Sequence, residues 1–321
     1  VRPNARDRIP PANFPDGGVP AEWAQADGSG GSPAISRHVE NPLVRRIDNQ
    51  AIKAHADRRF RSEYDYALFE YFRSAKVLAF LEQSGVTPEG RILDAGCGGG
   101  GMPLSLAEET ASVVAIDLVD RFRDAGTRLA GEKRIANLEF LQADGTALPF
   151  AARAFDAVLS HAVIEHVADA EQYLRECRRV LRPGGWMYLS TAPYLSFAGA
   201  HLPRLKVPIP LHLLLGRWVS FRIFRMLSRH ATWTLREQAE QNSFIKLARQ
   251  DKSKHDDLLE LVRVQRLRGQ IARAGFTIVR EELHLTGTFR RLPGPLPAWL
   301  RNSTLTQDIV IGNMEYVLRQ A

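Results

Sequence analysis

Cysteine is nearly missing: Cys97 and Cys177 are the two in 321 residues. They show no C-x-x-C spacing and no histidine partner, which leaves out a disulfide framework and a zinc knuckle. Both read as free thiols in a reducing compartment, with Cys97 filling a glycine loop rather than acting as a nucleophile. Long apolar runs are missing too. Arg204, Lys206 and three prolines break the most apolar region before it reaches the roughly 18 residues that a membrane-spanning helix needs. The first residues lack the apolar core of a secretory signal, so the expected place is the cytoplasm, with peripheral contact at the inner face of the membrane left open. Acids are absent from Arg178 to Arg236, whereas Arg182, Arg204, Lys206, Arg217, Arg222, Arg225, Arg229 and Arg236 all fall there. The net charge of +7 is therefore concentrated late in the chain, where it suits an acidic partner.

Residues 1–49 are rich in proline, glycine, serine and charge, as in "IPPANFPDGGVPAEWAQADGSGGSP", and carry no apolar periodicity. A disordered arm is expected there. With 45% hydrophobic residues overall, the chain has material for a normal core in a domain over residues 50–321. That domain opens with one or two helices, because Leu68, Tyr71, Phe72, Ala75, Leu78 and Leu81 recur at helical spacing up to Gly85. Strand and helix signals then alternate: "RILDAG", "PLSLAEE", "SVVAIDL", "RFRDAGTRLAGEKR", "LEFLQAD", "FDAVLSH", "AEQYLRECRRVL" and "GWMYLSTA". Such a rhythm predicts an α/β fold with a doubly wound, mostly parallel sheet whose ligands gather at the carboxyl ends of the strands. Past Tyr194 the rhythm breaks into a Pro-rich basic segment, a helix over "LLELVRVQRLRGQIARAG", and two strands, "FTIVREELHLTG" and "QDIVIGNMEYVLR", expected as an antiparallel pair at the sheet edge.

The first strand runs into "ILDAGCGGGG", which fits two nucleotide templates. Gly96-x-Gly98-x-x-Gly101 matches a dinucleotide turn, but such a turn meets a diphosphate, and Asp94 just ahead of it would repel that ligand. S-adenosylmethionine has no phosphate and carries an ammonium and a sulfonium, so a nearby carboxylate favours it. Asp117, closing the next strand, is placed for ribose hydroxyls, which both ligands possess.

Together, "ILDAGCGGG", "VVAID", "LQADGTALPF", "FDAVLSHAVIEHV" and "LRECRRVLRPGGWMYLST", spanning roughly Arg91 to Thr191, resemble class I S-adenosylmethionine-dependent methyltransferases, in the ubiquinone-biosynthesis-like (type 11) small-molecule group. The resemblance implies a Rossmann-like, seven-stranded sheet with an antiparallel last strand, and the chain's own pattern adds a helical insertion after the fifth. By it, Asp94, Gly96, Cys97 and Gly98 line the methionine end of the cofactor, Asp117 and Leu118 the ribose, and Asp144 and Gly145 the adenine, with His161 also beside the cofactor. It leaves residues 1–50 and the stretch from Tyr194 to Leu258 unmatched.

A protonated acceptor must shed its proton as it is methylated, and a histidine near neutral pH suits that task. His161 and His166, after the fourth strand in "SHAVIEHV", are the catalytic candidates, and Glu165 with His166 could equally cap the local backbone. His201, His212, His230, His255 and His284 show no ligand spacing, so no metal is expected. Tyr194 is a candidate for the acceptor pocket. Residues 195–257 form a basic, apolar insertion read as a substrate lid. If helical from Leu211, it sets Arg222, Arg225 and Arg229 on one face and Val219, Ile223, Met226 and Leu227 on another, fit to cover the acceptor, rest on an anionic membrane or hold a phosphorylated acceptor. The expected function is methyl transfer to a small acceptor, at the oxygen of a sugar, lipid or secondary metabolite. The alternatives are a non-catalytic cofactor-binding scaffold and an RNA or protein methyltransferase, with nucleic acid disfavoured because no recognition module is visible.

Overall fold

Ile92 and Leu93 are both fully buried on opposite faces of one short strand, as are Val113 and Val114 on the next. Strands apolar on both faces need cover on both. The computed structural model, which describes residues 47–59, 61–207, 209–235 and 259–321, provides that cover. In chain order its main elements are α1 (Asn49–Ala56), α2 (Glu63–Gln83), β1 (Arg91–Ala95), α3 (Gly101–Ala107), β2 (Ser112–Asp117), α4 (Phe122–Lys133), β3 (Leu138–Gln142) and β4 (Phe155–His161). Then follow α5 (Ala170–Val180), β5 (Leu181–Thr191), α6 (Gly216–His230), α7 (Val264–Arg273), β6 (Phe276–Leu285) and β7 (Ile311–Gln320).

The strands pair in the order β3-β2-β1-β4-β5-β7-β6. β1 to β5 are parallel, and β7 runs antiparallel to both β5 and β6. This is the seven-stranded doubly wound sheet the sequence predicts, with its reversed last strand. On one face α2 packs Val77, Phe80 and Leu81 on Ile92, Leu159 and Tyr188. On the other, α5 and α7 pack Leu174, Cys177, Leu267 and Ile271 on Leu93, Val158 and Met187. The helix starts follow local chemistry: the Ser62 hydroxyl accepts the Asp65 N–H ahead of α2, and the Asp169 carboxylate accepts the Gln172 N–H ahead of α5. Arg178 and Arg179 sit in the last turn of α5, where cations complement the helix dipole.

Two expectations need correction. The helix expected from residue 258 begins at Val264, because residues 259–263 are drawn out along the loops after β4 and β5: the Glu260 N–H donates to the Glu165 carbonyl, and the Tyr194 N–H to the Val262 carbonyl. The last strand begins at Ile311, since Gln307–Val310 is a helical turn that lets the Asp308 carboxylate accept the Val264 N–H at 2.8 Å. α6 is helical as expected, and it buries Ser220, Phe221, Phe224 and Ser228 and leaves Val219 and Met226 exposed. Phe221 and Phe224 are the larger flat groups, and they fill a small core with Tyr194, Leu202 and Leu235. The expected arm up to residue 46, residues 236–257 of the insertion and residue 258 lie outside the described residues.

Candidate active site

The carboxyl ends of β1, β2 and β4 lie side by side where the strand order reverses, with β1 between the other two. A crevice forms at such a switch point. The turn after β1 enters it with Gly96, Gly98 and Gly100 at φ of +120°, +55° and +87°, a path that side chains resist. Close approach matters as much as angle. A Cβ on Gly101 would come within 1.9 Å of the Ala67 carbonyl oxygen, so α2 lies directly across the turn.

That crossing brings two charged residues of α2 into the site, and neither was among the residues singled out from the sequence. Glu70 and Arg73 stand with Asp94 around the turn, and each presents a buried polar atom without a hydrogen-bond partner: Glu70 Oε2, Arg73 Nε and Asp94 Oδ2. Burial pushes the Glu70 carboxyl up to about 7. The Asp94 carboxyl is raised well above its usual range by burial first, then by the neighbouring Glu70 and Asp117. Arg73 faces the other Glu70 oxygen, Oε1, at 3.8 Å, but burying a second acid, Asp94, beside this pair is costly, and a cation bound among them offsets that cost.

The other cofactor candidates fall around the same rim. Asp117 closes β2, where its Oδ2 accepts the Gly98 N–H at 2.8 Å and its Oδ1 the Val119 N–H at 3.0 Å, tying turn to strand end. Leu118 is exposed beside it. Asp144 is exposed after β3 and folds back on Thr146, accepting its N–H and its hydroxyl proton. Gly145 leaves room for the Tyr173 ring, which a Cβ would approach to 2.7 Å. Tyr173 in turn donates to the Ala95 carbonyl at 2.7 Å and meets the Ser160 hydroxyl at 2.8 Å, joining the ends of β1 and β4. Cys97 is buried and its thiol is pushed well up by burial and by the acids around it, which fits a packing residue and not a nucleophile.

His161 ends β4 on the same rim. Burial, and then the Arg73 charge, holds its imidazole well below the usual histidine range, so the ring is neutral at pH 7. Its Nδ1 lies 3.3 Å from the Tyr188 hydroxyl, which donates to Glu315 Oε1 at 2.7 Å. Tyr188 therefore meets His161 as an acceptor, Nδ1 carries the proton, and Nε2 is left to take one. Glu315 Oε2 also meets His284 Nε2 at 2.6 Å, and that pairing raises the His284 value.

Glu165 and His166 occupy a short 3₁₀ turn, Ile164–His166. Glu165 is buried, accepts the Thr191 hydroxyl at 2.8 Å and has its carboxyl raised by burial. The insertion brings His201 to it, with Nε2 3.8 Å from Glu165 Oε1, and the His166 and His201 rings meet edge to face. The donor atoms of the three lie within 4.8 Å of one another, a grouping able to hold a proton or, as one carboxylate and two imidazoles, a divalent ion. Spacing along the chain could not reveal it, because His201 arrives from a different loop. His201 also takes φ of +50°, which non-glycine residues seldom adopt.

Residues 93–189 match a family model described as a methyltransferase domain. Over those residues the chain is similar to methyltransferase domains. A ubiquinone biosynthesis O-methyltransferase of Dinoroseobacter shibae is 41% identical over 101 residues, which is 32% of this chain and 40% of that protein. One from Xanthomonas oryzae is 38% identical over 107 residues, 32% of this chain and 42% of that one. The similarity therefore spans about two-fifths of the length of these curated relatives. Among solved structures, an S-adenosylmethionine-dependent methyltransferase of Mesorhizobium loti aligns with TM-score 0.48 and 20% identity, over 75% of this chain and 96% of that one.

S-adenosylmethionine is the cofactor that the sequence resemblance implies, and the residues present fit it. The orphaned atoms of Glu70 and Asp94 call for a cation, and the orphaned Arg73 Nε calls for an anion beside it. An ammonium, a carboxylate and a sulfonium on one amino-acid moiety meet all three. A diphosphate would face Glu70, Asp94 and Asp117 together.

Proposed function

We propose that the chain methylates a hydroxyl of a small acceptor, a sugar, a lipid or a secondary metabolite, with S-adenosylmethionine as donor. The observation that carries this reading is the trio of unpartnered buried atoms on Glu70, Arg73 and Asp94 around the glycine turn. Oxygen as the acceptor atom is supported by the name of the relatives, O-methyltransferase.

S-adenosylmethionine supplies a methyl group on a sulfonium. The part of the chain is mostly positional, since an in-line displacement needs the acceptor oxygen held close to that methyl on the side away from sulfur. Asp94, Glu70 and Arg73 fix the amino-acid end, Asp117 the ribose, and Asp144 with the Gly145 backbone the adenine. His161 Nε2 takes the acceptor proton, with Tyr188 holding the ring in the required tautomer. Glu165, His166 and His201 line the acceptor side, next to the insertion. The exposed arginines and apolar groups of that insertion favour an acceptor that is anionic or lipid-like.

Transfer of radiolabelled methyl from S-adenosylmethionine into a cell extract tests the reading. Label is expected in the small-molecule or lipid fraction. Label confined to RNA or protein contradicts it, and cofactor binding with no transfer to any fraction identifies a scaffold. With the acceptor in hand, His161→Ala is expected to lower turnover about a hundredfold, in the range for loss of a general base. An unchanged turnover removes His161 from the chemistry, and His166→Ala applies the same test to its neighbour.

A further inference from the structure

The described part of the insertion turns apolar side chains outward. On α6 the hidden face is Ser220, Phe221, Phe224 and Ser228, while Trp218, Val219 and Met226 are 50%, 48% and 55% exposed. Leu214 before the helix and Trp233 after it are 67% and 74% exposed. Arg222 is exposed among these groups, Arg225 is half-buried next to them, and Arg204 and Lys206 are exposed on the segment leading in. No acid occurs anywhere from residue 178 to 236. Single exposed apolar residues are ordinary, but a run of them on one short insertion marks a surface that meets something.

We propose that this face docks on an anionic lipid membrane and presents the acceptor side of the site to the lipid interface. The proposal rests on the methyl-transfer reading only for its second half. Charge selects the occupant. Arginine and lysine heads reach lipid phosphates while their stems lie along the acyl boundary, and tryptophan sits with its ring in the apolar layer and its N–H toward water. A second copy of the chain would pair this patch with itself about a two-fold axis, bringing Arg222 and Arg225 against their own equivalents. Nucleic acid would be held by the cations but gives Leu214, Val219 and Met226 no apolar surface to cover them.

The site lies directly under this face. Phe221 and Phe224 pack on Tyr194 and Leu202, Tyr194 follows the end of β5, and His201 in the same segment meets Glu165. The His212 ring is anchored to the Leu195 carbonyl at 2.9 Å, so the insertion is fixed to the strand end as a unit. An acceptor lying in the outer part of the leaflet would reach the Glu165, His166 and His201 cluster from the insertion side.

Co-sedimentation of the full chain with vesicles tests this. The chain is expected to pellet with mixed phosphatidylcholine and phosphatidylglycerol vesicles, to stay in solution with phosphatidylcholine alone, and to be released by high salt. R222E/R225E is expected to lower the bound fraction about tenfold, given the contribution of each cation near an anionic surface. W218S/M226S is expected to lower it as well, with the thermal unfolding midpoint of each variant checked against the parent. Failure to pellet with either vesicle, equal binding to both, or binding untouched by both variants overturns the proposal. So does an RNA complex or a concentration-dependent dimer that the variants abolish while vesicles bind nothing. Calorimetry with S-adenosylmethionine on the same samples keeps the two readings apart: vesicle binding without cofactor binding sinks the methyl-transfer reading alone, and cofactor binding without vesicle binding sinks this one alone.

Discussion

Glu70 is the residue on which the electrostatics of the site can be read most directly. Its carboxyl titrates near 7 in the folded chain, above the ordinary carboxylate range, so folding takes up a proton there. The contribution of this group to stability is therefore present at low pH and is lost as the pH rises from the ordinary carboxylate range through about 7. A cofactor cation reverses the preference by favouring the carboxylate. Affinity for S-adenosylmethionine is expected to rise from about pH 6 to about pH 8, with proton release visible by calorimetry in buffers of different ionisation enthalpy. In Glu70→Gln that release is expected to shrink. A pH-independent affinity in the parent chain would contradict the placement of Glu70 beside the cation.

Gly101 makes a steric prediction at the same scale. Its added Cβ would sit 1.9 Å from the Ala67 carbonyl oxygen, and a backbone atom in the middle of α2 cannot step aside cheaply. Gly101→Ala is expected to cost about 1 to 3 kcal/mol, the usual range for overpacking, and to weaken cofactor binding, both measurable by thermal unfolding with and without the ligand. Asp94, the glycines and Asp117 were legible in the sequence because a strand end, a turn and the next strand end stand in fixed order. Glu70 and Arg73 were not, because a charged pair on an amphipathic helix looks like any solvated face until the helix is seen to cross the turn.

At the level of elements, the strands were legible because apolar blocks with turn residues between them leave few other readings. Boundaries set by tertiary contacts were not. α7 starts at Val264 since the Asp308 side chain, from a turn far along the chain, caps it, and nothing local marks that start. Asp308→Ala is expected to destabilise the fold by about 1 kcal/mol, as for the loss of a cap, and to fray α7 in amide hydrogen exchange. A midpoint unchanged from the parent would show the contact to be idle. The spacing of apolar residues on α6 leaves open which face is buried, and Phe221 and Phe224, which bury the larger area, decide which way the helix turns.

For the molecule as a whole, the sheet order and the reversed β7 follow from the alternation of strands and helices, and they put the turn after β1 and the ends of β2 and β4 in one crevice. What alternation cannot supply is the meeting of Glu165, His166 and His201, which depends on how the insertion folds back over the strand ends. On the proposed reading the acceptor is chosen on that side of the crevice, and the donor on the side of Glu70, Arg73 and Asp94. The central claim concerns the donor: a site built for a cationic amino acid and hostile to a diphosphate. Calorimetric titration of the full chain with S-adenosylmethionine and, separately, with NAD tests it most directly. Saturable binding of S-adenosylmethionine with no heat from NAD is the expected result, and saturable binding of NAD with none of S-adenosylmethionine would contradict it.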